Sequence, residues 1–453
     1  MNELQRTITF IGVAAGLGLI ALLVAPSNPT PEAFSDKGEE FFPEFTDPNV
    51  ATSMEVIGFS EETGSANPFK ILFKGGQWTI PSHHNYPADG KDRLAQTAAG
   101  ILDIKKDDIV AEVAADHEAL GVVDPLDETV TSLTGRGKRV TIKDKNDNVL
   151  SDIIIGKSIP GRDNKYKYAR LPGQKRTYAA RFDVDITTQF NDWIEKDLLL
   201  VDQAKLKQIT LKDYTINERT GVLNQRDTII LTKEDTDWKA NRMRSNQKVD
   251  DTKMNDLLKT LDEVVIVGVR PKPAGLSKSL VQTEGGISIT RPDMISLQSK
   301  GYYFTQDGQL VSNEGEIQAR TEDGVTYTLR FGEIVFGAGD AVTAGTTENN
   351  ETPQGPGENR YLFITTEFDA SMFREPKTPV NMTFQSKADS VWTDADRANS
   401  KAHETHEEWR KKGEAGRIIS SDLNTRFALW YYVISSESFD KIHLQRRDLV
   451  VAK

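Results

Sequence analysis

Few residues of this 453-residue chain stand in patterns that chemistry uses. His403 and His406, in the run HETHEE, are three apart, and Glu407 lies four beyond His403. A helix would gather these three on one face and offer a weak metal site. The metalloprotease pattern instead needs two histidines four apart with a glutamate beside the first, so we read a solvated charged helix face and no metal. Asp144, Asn146 and Asn148 match the first ligand positions of a calcium loop. Val149 stands where that loop needs glycine and Ile155 where it needs its closing glutamate, so a hairpin turn is expected. Gly337 and Gly339 begin something like a nucleotide fingerprint that ends at Val342, and we read a flexible loop. His83 and His84, between Pro81 and Pro87, either touch a ligand or titrate in water, and the second is expected. Glu314, Glu316 and Glu333 lie close in the chain and could do acid–base work; the commoner role is to cap strands and pair with Arg320 or Arg330. No nucleophile elbow and no phosphate loop occurs. Catalytic residues, cofactor ligands and metal ligands are therefore all expected to be absent.

The elements that carry these residues begin at a membrane. Thr7 to Ala25 is an uncharged apolar run, TITFIGVAAGLGLIALLVA. A bilayer core roughly 30 Å thick takes about 20 such residues as a helix. A removable signal peptide would be shorter and would end in a small-x-small site, but Leu23 occupies one of those positions and Pro26 follows. We therefore expect a retained single-pass helix over 7–25. Residues 1–6 would be cytoplasmic, because Arg6 and the free amine precede the run while mostly acidic residues follow it. The body would then sit outside the inner membrane, in the periplasm or its equivalent. Gly12 and Gly16 leave a smooth strip on which another membrane helix could pack. The net charge of −12 argues against nucleic acid as a partner, and the absence of cysteine removes disulfides and thiol chemistry.

After an extended linker over 26–50, the rest is too long for one core and contains a repeat. One copy covers 51–225 and the other 226–453. Each opens on a hairpin whose return strand carries a tryptophan, Trp78 and then Trp238. An amphipathic helix follows in each copy, with Asp89 and Asp250 as caps. Further antiparallel strands follow, among them the run holding Trp430. The three tryptophans are expected in the repeat cores. An insertion at about 368–427, polar from Ser386 to Glu414, reads as a projecting helix or helical pair. A loop from Gly337 to Asn359 should be mobile. The fold class expected is α+β: a transmembrane helix, then two tandem related domains of antiparallel hairpins and short helices.

The hairpin–tryptophan–helix unit, Leu120-Gly121-Val122-Val123-Asp124-Pro125, the Ile155-Gly156 strand end, and Tyr178 followed by Trp193 and Asp197-Leu198-Leu199 together resemble one family. It is the domain-of-unknown-function family numbered 4340. Ser312 to Glu316, Tyr327 to Glu333 and Asn424 to Ile434 look like its longer, planctomycete-type members. The resemblance covers most of Phe69 to Val451 and brings no catalytic residues with it. It implies one N-terminal anchor and the company of a gliding-type ABC transporter permease and its extracytoplasmic partner protein. We therefore expect a non-enzymatic, membrane-anchored accessory or binding protein. The alternative is an extracytoplasmic hydrolase of envelope polymers, with Glu314, Glu316 or Glu333 as acid and base.

Overall fold

A computed structural model describes residues 36–61, 64–217, 222–281, 289–305, 307–336 and 358–453. The fold is α+β, with antiparallel sheets and several helices. The apolar run 7–25, with Gly12 and Gly16, lies outside the described residues, as does nearly all of the expected loop at 337–359. No helix among the described residues is long and apolar enough to cross a membrane. The described residues divide into two compact units, one within 36–51 and 95–185, the other within 52–94 and 186–453.

The opening strands are β1 (Ala51–Ser60), β2 (Ser65–Lys74), β3 (Gln77–Ile80) and β4 (Tyr86–Pro87), each antiparallel to the one before it. The helix Lys91–Leu102 follows. Its cap position is Gly90, whose carbonyl accepts from Leu94 N, so Asp89 stands one residue too early to cap it. A side chain at Gly90 would press on Ile71 at 3.3 Å and Trp193 at 3.6 Å, which explains a glycine where an aspartate or serine usually sits.

The first unit then builds an antiparallel ladder from β5 (Asp108–Ala111), β6 (Lys138–Asp144), β7 (Val149–Ser158), β8 (Tyr166–Arg170) and β9 (Thr177–Arg181) in the order β6-β7-β8-β9-β5. Val140, Ile142, Ile153 and Ile154 bury completely within it. Residues 36–50, expected to be part of an extended linker, are instead tied to this unit. Glu40 bridges Lys105, Phe41 N donates to Ile104 O, and Phe41 and Phe45 are buried. Tyr178 packs edge-on against Phe41 and donates its hydroxyl proton to Asp36 at 2.5 Å. Two phenylalanines supply the apolar area that orders a stretch whose overall composition reads as a spacer.

The second unit adds β10 (Leu206–Asn217), β11 (Val222–Glu234), β12 (Asp237–Ala240), β13 (Gln247–Val249) and β14 (Ile266–Pro271). The short hairpin β15 (Tyr302–Phe304) and β16 (Leu310–Ser312) follows. The chain continues with β17 (Glu316–Thr321), β18 (Val325–Phe336), β19 (Glu358–Phe368), β20 (Trp430–Ile434) and β21 (Val450–Ala452). Eight of these form one sheet in the order β12-β11-β10-β17-β18-β19-β20-β14. Its last five strands follow the order of the first unit's ladder, and β10-β11-β12 matches β1-β2-β3. Trp78 and Trp238 hold equivalent places, facing Phe73 and Lys233 across their hairpins. Asp250 caps the helix Asp251–Asp262 as expected, accepting from Lys253 N at 2.9 Å.

Between β19 and β20, after three short 3-10 turns, runs one α-helix, Asp394–Ala428, opened by a reciprocal cap of Thr393 and Asp396. It is longer than the polar stretch that suggested it. Its second half is built into the sheet: Gly416, Ser420, Leu423, Asn424 and Phe427 are buried. β20 pairs only with Arg360 to Leu362, which leaves the rest of that β19 edge without a strand partner. Asn424 takes the place of one. Its side-chain oxygen accepts from Thr366 N at 2.8 Å and its amide donates to Thr366 O at 2.7 Å. Gly416 is needed for the same approach, since a Cβ there would lie 2.5 Å from the Phe368 ring.

Candidate functional site

One face of the second unit's sheet is polar. On β17, Ile317 and Ala319 turn to the apolar core, while Glu316 and Gln318 alternate with them on the opposite face. The ladder places Arg330 opposite Glu316, and Thr328 opposite Gln318 on one side and Thr365 on the other. This face is flanked on several sides and open to solvent on the rest. The helix Ala274–Val281, the β15–β16 hairpin and the second half of the Asp394–Ala428 helix rise around it and border a cleft of about 1330 Å³. The walls are held by an aromatic cluster of Tyr302, Phe363 and Tyr431, in which Tyr302 and Tyr431 stack at 6.1 Å.

Glu316 is the centre of the floor, only 6% exposed. Its carboxylate accepts from Lys212 Nζ at 2.8 Å, Tyr214 Oη at 3.1 Å and Gln318 Nε2 at 3.2 Å, and Arg330 Nε lies 3.3 Å away. Arg330 also donates to Leu310 O at 2.8 Å and to Thr365 Oγ1 at 2.9 Å. Burial and the neighbouring Glu316 charge push the Tyr214 hydroxyl pKa well above its ordinary value, so it remains a donor. The floor is thus a network in which two cations, Lys212 and Arg330, share the one carboxylate of Glu316. Such pairing is the condition under which a buried carboxylate is tolerated.

The other residues singled out by sequence fall elsewhere. Glu314 pairs with Arg360 at 3.6 Å, Glu333 accepts from the Asn313 amide, and neither lines the cleft. The pairing of Glu316 with Arg330 is the structural role expected for that carboxylate. Trp430 is buried with its ring 5.2 Å from Tyr86, whereas Trp78 and Trp238 are half-buried. His403 lies against Phe384, His406 faces Glu375 at 3.5 Å, and Glu407 pairs with Arg410. No cluster of metal-ligating side chains occurs among the described residues. Asp144 accepts from Asn146 N and Asn148 N, closing the hairpin turn between β6 and β7.

His83 departs from expectation. It is 3% exposed, stacked on Phe190 at 4.6 Å and edge-on to Phe69, so it neither titrates freely in water nor reaches a ligand. Burial, reinforced by the His84 and Arg270 charges, pushes its pKa down to about 4. His84 beside it is exposed.

Sequence reasoning missed most of the cleft: Lys212, Tyr214, Gln318, Thr328, Thr365 and Arg417. The available signal was β17 and β18, where polar residues alternate with apolar ones over the length of a whole strand. It also missed Lys272, which is 6% exposed, lies 4.0 Å over the Phe363 ring and donates to Phe427 O at 3.0 Å. Burial holds its pKa well below that of a free lysine.

Residues 78–279 match the model of a family described as Domain of unknown function (DUF4340). The matched span holds Leu120 to Pro125, Gly156, Tyr178, Trp193 and Asp197 to Leu199, but it ends before β17 and most of the cleft. Two motif glycines have a steric reason. A Cβ at Gly156 would lie 2.6 Å from Leu120 O, and Gly121 has φ +72°. No curated protein and no solved structure matches the chain.

Proposed function

We propose that this chain, with its DUF4340 segment, is a membrane-anchored extracytoplasmic accessory protein that binds rather than converts its target. In this reading it is a single-pass inner-membrane protein with a cytoplasmic N-terminus. It serves an ABC-type, gliding-like transport complex and contacts the permease or its extracytoplasmic partner protein. The apolar run Thr7 to Ala25 supports the anchor, with Gly12 and Gly16 as its packing strip. The matching strand orders support two tandem α+β copies, the second opening with β10 at Leu206, earlier than the 226 expected from the sequence, with an insertion at about 368–427 in it. Two related surfaces on one tether would favour bivalent capture.

The observation that carries the binding reading is the floor of the cleft. Hydrolysis of a glycosidic polymer asks for two carboxyl groups about 5–9 Å apart, at least one of them available to the substrate. Of the three glutamates that the hydrolase reading depends on, only Glu316 lines the cleft, and four donors already surround it. A carboxylate held this way positions its neighbours.

The test is purification of the full chain from native membranes in gentle detergent. A permease and its ATPase should co-purify in near-stoichiometric amounts. Recovery of the chain alone would refute the assignment to a transport complex.

A further inference from the structure

We infer that the cleft over β17, β18 and β19 takes an oxyanion, a carboxylate or phosphate group, at the end of its floor where Lys212 and Arg330 stand. This rests on the binding reading above and names its ligand class. The strand register sets the charges in one row across the sheet. Lys212 on β10 lies opposite Glu316 on β17, which lies opposite Arg330 on β18. Two positive charges therefore meet one negative charge. Glu316 balances one of them and has no room for more donors, since its two oxygens already face Lys212 Nζ, Tyr214 Oη, Gln318 Nε2 and Arg330 Nε. The row continues with Thr228 beside Lys212 and Phe363 beside Arg330, both uncharged. One positive charge is left over in a row whose centre is buried, where water screens it least.

The other charges of the lining do not cancel it. Glu367, the second carboxylate there, is exposed and lies opposite Thr326 on β18, four residues from Arg330. Four residues of strand span about 13 Å, more than the Debye length of about 8 Å in physiological salt. Arg417 stacks at 5.1 Å on the ring of Phe368, the residue after Glu367, so that end of the cleft carries one charge of each sign. The cleft is neutral at the Glu367 end and positive at the Glu316 end. Lys212 is the group placed to receive a ligand. Its ammonium has three donors, of which Glu316 takes one, and its side chain is 35% exposed. An oxyanion bonds to it without displacing Glu316. Arg330, engaged by Leu310 O and Thr365 Oγ1, contributes its charge. A neutral or apolar ligand gains nothing from the excess charge, and a cation is repelled by it.

The experiment is calorimetric titration of the full chain in uncharged detergent, at low and at physiological salt. Tripolyphosphate and tricarballylate are the phosphate and carboxylate probes, with spermine as a cation and maltohexaose as a neutral ligand. At least one anion should bind, more weakly as salt rises, and the one that binds identifies the oxyanion. Lys212→Met removes the excess charge and should weaken that binding by about tenfold. Lys212→Arg keeps the charge and should stay within about threefold of the parent. Glu367→Gln, beyond screening distance, should change it by less than about twofold. Melting curves establish that each variant is folded. Binding of spermine or maltohexaose in place of both anions would overturn the inference. So would silence from both anions, or anion binding indifferent to Lys212→Met. Co-purification of the permease does not depend on the anion, so its survival alongside failed titrations removes the ligand class alone.

Discussion

His83 shows how far a residue's chemistry depends on what covers it. In an exposed loop it would titrate near neutrality; stacked on Phe190 and edge-on to Phe69 it stays neutral down to about pH 4. Its folded pKa lies below the model-peptide value of 6.5. Above pH 6.5 the ring is neutral in both states and contributes no pH dependence. As pH falls from 6.5 towards 4 the unfolded chain takes up a proton that the folded chain refuses, so stability is lost across that window. The full loss amounts to about 3 kcal/mol. His83→Phe should remove this component: urea titrations at pH 7 and pH 4.5 should show a smaller drop for the variant than for the parent. Equal drops would mean that the ring is accessible to water. Neither the burial nor the depressed pKa was legible in the run Pro81 to Pro87, because Phe69 and Phe190 lie far from it in sequence. The hairpin turn at Asp144 was legible, since every contact that makes it is local.

At the scale of elements, strands and caps followed from alternation and spacing, while the long helix did so only in part. Its exposed first half reads correctly as polar and helical. Its second half is polar too, and composition alone would leave it in solvent. Ser420 and Asn424 are buried because they satisfy the backbone and side chain of Thr366. The sequence cannot reveal this, because the free strand edge they cover is created by the shortness of β20. Asn424→Ala should therefore cost about 2–4 kcal/mol, since it orphans a buried N–H and a buried C=O together. Asn424→Asp, which sets a buried carboxylate oxygen against Thr366 O, should cost at least as much. Denaturant titration of the three proteins checks this order. An Asn424→Ala variant as stable as the parent would show that water replaces the amide and that this edge is open. The cleft was illegible for a related reason. The polar face of β17 and β18 is visible in the sequence as alternation, but the walls beside it come from a helix, a hairpin and the insertion, each distant in the chain.

For the whole molecule, the matching orders β6-β7-β8-β9-β5 and β17-β18-β19-β20-β14 give physical form to a repeat first seen as a tryptophan hairpin recurring in sequence. The compact units do not follow the chain in simple succession, since the first unit's 95–185 segment lies within the span of the second. A linear reading of hydrophobic runs orders elements along the chain but does not say which segments share a core. The tie of residues 36–50 to the first unit shortens any spacer to the membrane to little more than residues 26–35.

The most direct test of this account is the side of the membrane on which the body lies. Protease added to cells whose outer barrier has been opened, but whose inner membrane is intact, should digest residues beyond the apolar run and leave a short membrane-held fragment. A body that stays uncut until the inner membrane is ruptured would place it in the cytoplasm and contradict the account.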